Sequence, residues 1–350
     1  MSRNKRTILT ITISGLILGV SYPLFAGELD QPVALINGLS IGGIGGYIIS
    51  LFEIYVLNPK NRRYSFPVIV ITKTAIYTFL FFFLIIFVKG LADSIAASEP
   101  FFQYILGDSF QHFLRKEDFD LILIYSLIMV GFIIFTIQIN KKMGQGILLS
   151  FITGRLHEPR EEVRIFMFLD LKSSTSLAEK MGAVNYHKLL NDFFFDITPS
   201  IEKGHGVIYR YVGDQVVLTW KMKDAMQNAH CIMTYFYVRS TINDLKDKYQ
   251  QKYGFLPAFR AAIHCGQVIR GEIGDIKSQI VFHGEPLYVT GQIEKLCGKL
   301  GQDLLVSDPL KNKIQLPTLY TFRKITNSVN LDSGPLPFSL FTVSDNAPDQ

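Results

Sequence analysis

The chain has 350 residues, enough for two or three domains, and its hydrophobic share of 48% is high for a wholly soluble protein. The formal net charge of +5 forms no compact Lys/Arg stripe with interleaved aromatics, which argues against a nucleic-acid partner. The three cysteines, Cys231, Cys265 and Cys297, include no C-x-x-C pair, so they read as reduced, buried cytoplasmic thiols and exclude a disulfide or zinc framework.

The apolar excess lies in the first 145 residues. Four runs there are long enough to cross a bilayer, which takes roughly 20 residues as a helix: Thr7 to Ala26, Val33 to Leu57, Phe66 to Leu91 and Leu121 to Ile139. The second run is weakened by Glu53 and by Gly38, Gly42, Gly43, Gly45 and Gly46; glycines so spaced allow close helix contact in lipid or are simply tolerated there. Arg3, Lys5 and Arg6 precede the first run, Lys60, Arg62 and Arg63 separate the second and third, and Lys141 and Lys142 follow the fourth. This bias puts both termini on the cytoplasmic side of the cell membrane, with lipid as a partner of residues 1–143. The segment from Lys89 to Asp120 mixes aromatics with charges and reads as an amphipathic surface helix or a ligand-sensing element. Residues 144–161 turn polar and form a cytoplasmic linker.

From residue 162 to 345 the pattern alternates. A strand ends at Leu169, and helix signal runs from Ser173 to Lys203, interrupted near Gly182, with Asp192 and Glu202 on its polar face. Val207 to Val212 and Val216 to Trp220 read as a hairpin around Gly213 and Asp214. Asp224 caps one long helix to Tyr253, stopped by Gly254. Ala258 to His264 and Gln267 to Glu272 are strands around Cys265 and Gly266, and Glu285 to Leu300 is helical. Strand, helix, hairpin, helix, strand is the order of a ferredoxin-like βαββαβ α+β sheet with helices on one face.

Asp170 stands out because five apolar residues, Ile165 to Leu169, deliver it to the end of a strand buried on both faces. A carboxylate there needs a cation or a ring of donors; the alternative is that it caps the helix starting near Ser173. The predicted order sets Asp170 beside Asp214 at the hairpin tip, a pairing suited to holding divalent cations against phosphates. His264 beside Cys265 reads as a core histidine, since a strand sends neighbours to opposite faces. His205 reads as a turn residue, His283 as a local hydrogen-bonding residue, and Trp220 and Phe193 to Phe195 as core or dimer contacts.

At this point the sequence resembles the class III nucleotide cyclases. IFMFLDLKSSTSLAEKMG, YRYVGDQVVLTW, RAAIHCGQVIRGEIG and VFHGEPLYVTGQIEKL are similar to successive blocks of that domain, in the same order and spacing. The resemblance implies conversion of a purine nucleoside triphosphate, ATP more than GTP, to the 3′,5′-cyclic nucleotide and pyrophosphate, in intracellular signalling. It also implies two Mg²⁺ or Mn²⁺ ions, held by Asp170, Asp214 and the carbonyl of Leu171. Lys172, Ser173, Ser174 and Thr175 match the turn that holds the triphosphate, at a helix N-terminus, which suits the dipole. Arg210 falls at a purine-reading position. The site forms between two subunits, so a homodimer or a heterodimer with another cyclase domain is implied.

The departures are equally specific. Where the family places a ribose-steadying Asn and a transition-state Arg four residues apart, this chain has Tyr288 and Gln292. Neither supplies a cationic fork to a phosphate. The second purine-reading position is Val281, and the family's late phosphate-contacting Lys falls near Leu331, in Leu331-Asp332-Ser333-Gly334. Two hypotheses follow: an active membrane-anchored cyclase, or a weak or silent cyclase-homology domain that binds nucleotide and metal or partners an intact cyclase.

Overall fold

The structure is a computed structural model, and the residues it describes are 3–27, 30, 32–57, 66–115, 117–143, 158–275, 278–326, 330–331, 334–335 and 338–345. Two compact units divide the chain, Met1–Leu148 and Leu149–Gln350. Most of the linker, 144–157, lies outside the described residues, as do Asp332 and Ser333.

Among the described residues the N-terminal unit contains four helices long and apolar enough to cross a membrane: α1 (Arg3–Ala26), α2 (Pro32–Leu51) extended by a π-helical turn over Phe52–Leu57, α3 (Phe66–Ala97), and, after the short α4 (Phe101–Leu106) and α5 (Asp108–Leu114), α6 (Glu117–Met143). Two short helices therefore replace the single surface helix expected over Lys89 to Asp120, because α3 itself continues to Ala97. The glycines have a packing role. A Cβ on Gly15 would fall 2.2 Å from the Gly42 carbonyl oxygen, and one on Gly38 would fall 2.3 Å from that of Gly19. Both contacts are far inside van der Waals distance, so α1 and α2 approach closely only because neither carries side chains there. Tyr125 on α6 donates a 2.7 Å hydrogen bond to the Leu18 carbonyl of α1. Ile11, Ile49, Tyr77, Phe81, Met129 and Ile133 fill the centre of this bundle.

The C-terminal unit is a mixed sheet in the order β2-β3-β1-β4-β6-β10-β7, with β5 paired to the far end of β4. Its strands are β1 (Arg160–Leu171), β2 (Val207–Val212), β3 (Gln215–Lys221), β4 (Phe259–Ile273), β5 (Gln279–His283), β6 (Leu304–Ser307), β7 (Tyr320–Thr326) and β10 (Leu340–Asp345). A separate two-stranded ribbon joins β8 (Asn330–Leu331) to β9 (Gly334–Pro335). Central β1 runs antiparallel to both β3 and β4, while β4 and β6 are parallel.

Alternation along β1 explains its unbroken apolar run. Ile165, Met167 and Leu169 pack against α8 (Ala183–Lys203) and α10 (His230–Asp244). Phe166 and Phe168 enter a cluster with Val217 and Val268 on the opposite face, which α12 (Glu285–Lys299) covers. Helices therefore lie on both faces, not one, because α12 follows β5 and returns across the sheet. The segments read as two strands around Cys265 and Gly266 are one strand, β4. Gly266 is built into its middle because a Cβ there would strike the Pro286 ring at 2.5 Å.

The long helix expected from Asp224 to Tyr253 is four pieces: α9 (Met222–Met226), a 3₁₀ turn (Gln227–Ala229), α10, and α11 (Lys246–Tyr253). Asn228 and Ala229, at φ of 51° each, break the ladder, and Asp224 lies inside α9 instead of capping it. Gly254 does end α11, at φ 83°. Helix α7 (Ser174–Met181) and α8 meet at Gly182 as the sequence suggests. Asp192 does not face water; it is buried and accepts from Lys252 and from the Tyr253 hydroxyl at 2.8 Å, clamping α8 to α11. Trp220 is fully buried and donates to the Gly204 carbonyl at 2.7 Å, and His205 takes its turn at φ 55°.

Candidate functional site

The site is assembled where β1 ends. Antiparallel pairing sets Asp170 opposite Gln215 on β3 and Arg260 on β4. The residue before Gln215 is Asp214, carried on the tight turn that Gly213 makes possible at φ 62°. Strand register, not local sequence, therefore brings the two carboxylates together.

Asp170 is 8% exposed. Burial pushes its carboxyl up to about 7, with Asp214 and then Glu294 raising it further and Arg260 opposing them. A buried acid beside a second acid lacks positive charge. Arg260 supplies part of it: its Nη2 donates to Asp170 Oδ2 at 3.0 Å and its Nε donates to Glu294 Oε1 on α12 at 2.5 Å. Ser173, not Asp170, occupies the position before α7, and it makes no side-chain cap bond; the capping role for Asp170 does not hold.

The donor set fits a hard divalent cation. Among the described residues no group of three or more His, Cys, Asp or Glu side chains is gathered for a metal. Two carboxylates remain, with Leu171 closing β1 opposite Phe259. Mg²⁺ commonly takes one or two carboxylates and completes its shell with water and substrate phosphate, so this arrangement could hold it.

The turn Lys172 to Thr175 leads from β1 into α7, and Ser173 adopts the left-handed region at φ 58°. The Lys172 ammonium pairs with Asp303 at the start of β6 instead of pointing freely into solvent. Tyr186, in the first turn of α8, lies near the same cluster: burial pushes its phenol up, then Asp214, with Ser174 acting in the opposite sense. Arg210 is exposed on β2, with its guanidinium 5.1 Å from the Tyr209 ring. Val281 pairs with Gly271 on β4. Tyr288 is 51% exposed and Gln292 is half-buried on α12, and neither makes a hydrogen bond or ion pair with Asp170 or Asp214. Leu331 sits in the small ribbon opposite Gly334.

His264 is a core residue: buried, with Nδ1 2.8 Å from Ser307 Oγ and its ring stacked on Phe338. Cys231, Cys265 and Cys297 are all free and buried. Sequence reasoning missed Arg260, Glu294, Asp303 and Tyr186. Arg260 was detectable in principle, because it is a basic residue that opens the apolar run Ala261 to Ile263 of a central strand. Glu294, two residues beyond Gln292, lies on the buried side of an amphipathic helix, where a lone acid needs a partner.

The mixed sheet thus brings two acids together at the end of its central strand, beside a short hydroxyl-rich turn. Residues 156–310 match the family described as the adenylate and guanylate cyclase catalytic domain. The chain is 35% identical over 196 residues to adenylate cyclase 2 of Rhizobium meliloti (strain 1021), covering 56% of this chain and 54% of that protein. It is 24% identical over 182 residues to an adenylate cyclase of Anabaena cylindrica, covering 51% of this chain and 36% of the relative. It thus spans about half or less of the length of these curated relatives. A bacterial light-regulated adenylyl cyclase shares the fold, with a TM-score of 0.55 and 20% identity over 66% of this chain and 67% of that one. The C-terminal unit is thus similar in sequence and fold to a class III nucleotide cyclase domain.

Proposed function

We propose that the chain is a membrane-anchored cyclase that converts ATP to the 3′,5′-cyclic nucleotide and pyrophosphate at a site completed by a second cyclase domain. The observation that carries this reading is the convergence of Asp170 and Asp214, with Asp170 held short of positive charge. Asp170, Asp214 and the Leu171 carbonyl would hold two Mg²⁺ or Mn²⁺ ions. When bound, these ions offset phosphate charge and ease loss of the ribose 3′-hydroxyl proton. The 3′-oxygen then bonds to the α-phosphorus as the bond to pyrophosphate breaks. The chain's own part is positioning: the turn before α7 offers backbone N–H groups to the triphosphate, and Arg260 favours the ionised form of the buried carboxylate against the burial and neighbouring acids that oppose it. The four apolar helices anchor the protein, and the distribution of Lys and Arg keeps the cyclase domain cytosolic.

Tyr288 and Gln292 favour a second reading, in which the chain is weak or silent alone and lends its metal half to an intact cyclase. Losing one preorganised donor to the transition state costs on the order of 100-fold or more. The full chain in lipid nanodiscs, given ATP or GTP with Mn²⁺, tests both readings. Product lost in Asp170→Asn and Asp214→Asn supports the two-metal site, and equal product in all three proteins sinks it. A silent wild type whose turnover appears in Tyr288→Asn/Gln292→Arg supports the second reading.

A further inference from the structure

The N-terminal unit buries an ion pair that the cyclase chemistry does not use. Glu53 is 3% exposed and Lys73 1%, and their side chains pair directly. Tyr77, with no exposed surface, donates its hydroxyl to the same Glu53 Oε2 at 2.9 Å. Lys73 and Tyr77 are four residues apart on α3, so one helical face presents both donors to one carboxylate. Ionisable groups at membrane depth are costly and persist where they pair and serve a purpose.

The backbone that carries Glu53 is itself unusual. Phe52–Leu57 form a π-helical turn, whereas the rest of α2 is α-helical. Such turns are rare and short because they hold one residue more per turn than the α-helix wants. Returning six residues to α geometry would rotate one end of the segment against the other by about 100°. Glu53 cannot follow that rotation while it is held by Lys73 and Tyr77. An α-helical register of this turn would therefore require the pair to open.

We propose that Glu53, Lys73 and Tyr77 form a conformational latch that holds the end of α2 in its π register, and that opening the pair lets this turn relax to α-helix. Val56 and Tyr55, 45% and 67% exposed, lie past the latch and would turn with it. Phe52, Ile76 and Ile137 of α6 all pack against the same core as Tyr77, so the change would reach the last helix of the unit. A stimulus that acts on the membrane unit could therefore work by stabilising one register over the other.

The test uses the full chain in lipid nanodiscs with Val56→Cys carrying a nitroxide, the three native cysteines being buried. Accessibility to oxygen and to a water-soluble nickel chelate reports which way position 56 faces. Glu53→Gln alone leaves Lys73 buried without its carboxylate and destabilises the fold, so Glu53→Gln/Lys73→Met, which removes both charges of the pair, carries the decision. The double variant is expected to turn position 56 to another face of the helix, with its accessibility to oxygen and to the nickel chelate changing severalfold. Unchanged accessibility in a folded, monodisperse double variant would overturn the latch. This outcome is independent of whether the cyclase domain turns over.

Discussion

Asp170 should make the metal-free protein less stable, and replacing it should show by how much. Its carboxyl lies at about 7 in the fold against 3.8 when free. Because the folded value is raised, the folded state holds a proton that the unfolded chain has lost. The stabilising contribution of the protonated form is complete below about pH 4 and disappears as pH rises towards 7. At about 1.36 kcal/mol per pH unit, ionising Asp170 costs the empty domain up to ~4 kcal/mol above pH 7. Asp170→Asn removes that cost without stranding a cation, because Arg260 keeps its bond to Glu294. The assay is denaturant unfolding in chelator at pH 4, 6 and 8. Trp220 is the only tryptophan in the chain and is buried in the cyclase core, so its fluorescence isolates this unit within the full protein. Variant and wild type should coincide at pH 4, and the variant should be more stable by a few kcal/mol at pH 8. Adding Mn²⁺ should stabilise wild type alone. A variant no more stable than wild type at pH 8 would refute the reasoning, because it would mean that local donors already compensate the carboxylate.

Three further outcomes follow from the geometry. Arg260→Gln removes the cation that lowers Asp170, so the acidic limb of a pH–rate profile with Mn²⁺ should move to higher pH, and turnover should fall about 10- to 100-fold, as for loss of a charged hydrogen bond. His264 is lowered to about 4 by burial, with Lys313 adding to the effect; its neutral form contributes stability above about pH 6.5 that is lost as pH falls towards 4. His264→Gln should therefore flatten acid unfolding over that window, measured again by Trp220. Gly42→Leu drives a side chain into the Gly15 carbonyl and should destabilise the α1–α2 pair by about 1–3 kcal/mol, read by thermal scanning of the full chain in detergent.

Legibility in the sequence followed the range of the interactions involved. Helices and strands whose apolar pattern is local, such as β1, the β2–β3 hairpin and α1, could be read directly. The long helix after Asp224 could not, because two residues in left-handed geometry interrupt it without a Gly or Pro to mark the place. Asp192 reads as solvated from its helical position, yet Lys252 and Tyr253, some sixty residues away, bury it. The glycines of α2 left two readings open until Gly15 and Gly19 on α1 were found opposite them. At the site, Asp170 and Asp214 stood out because motif order carried them. Arg260 and Glu294 did not, because their importance lies in a register and a helix face that only the assembled sheet defines.

Helix α12 shows what this chain retains and what it lacks. Glu294 lies two residues after Gln292, close to the opposite side of the helix. Its inward carboxylate grips Arg260, and Arg260 reaches Asp170, so the buried side of α12 is keyed to the chain's own acidic pair. The outward side carries Tyr288, half exposed, with Gln292 one turn on. If that outward side is what one cyclase domain offers to another's site, substitutions there spare this chain's fold and its own acids and affect only the neighbour. The residues that would hold metal in this chain then depend on the α12 of whatever domain pairs with it. Mixing full-length Asp170→Asn protein with wild type should separate the cases. If Tyr288 and Gln292 suffice, each homodimer site is equal and mixing halves activity at most; if an intact cyclase is required, neither preparation turns over until that partner is added.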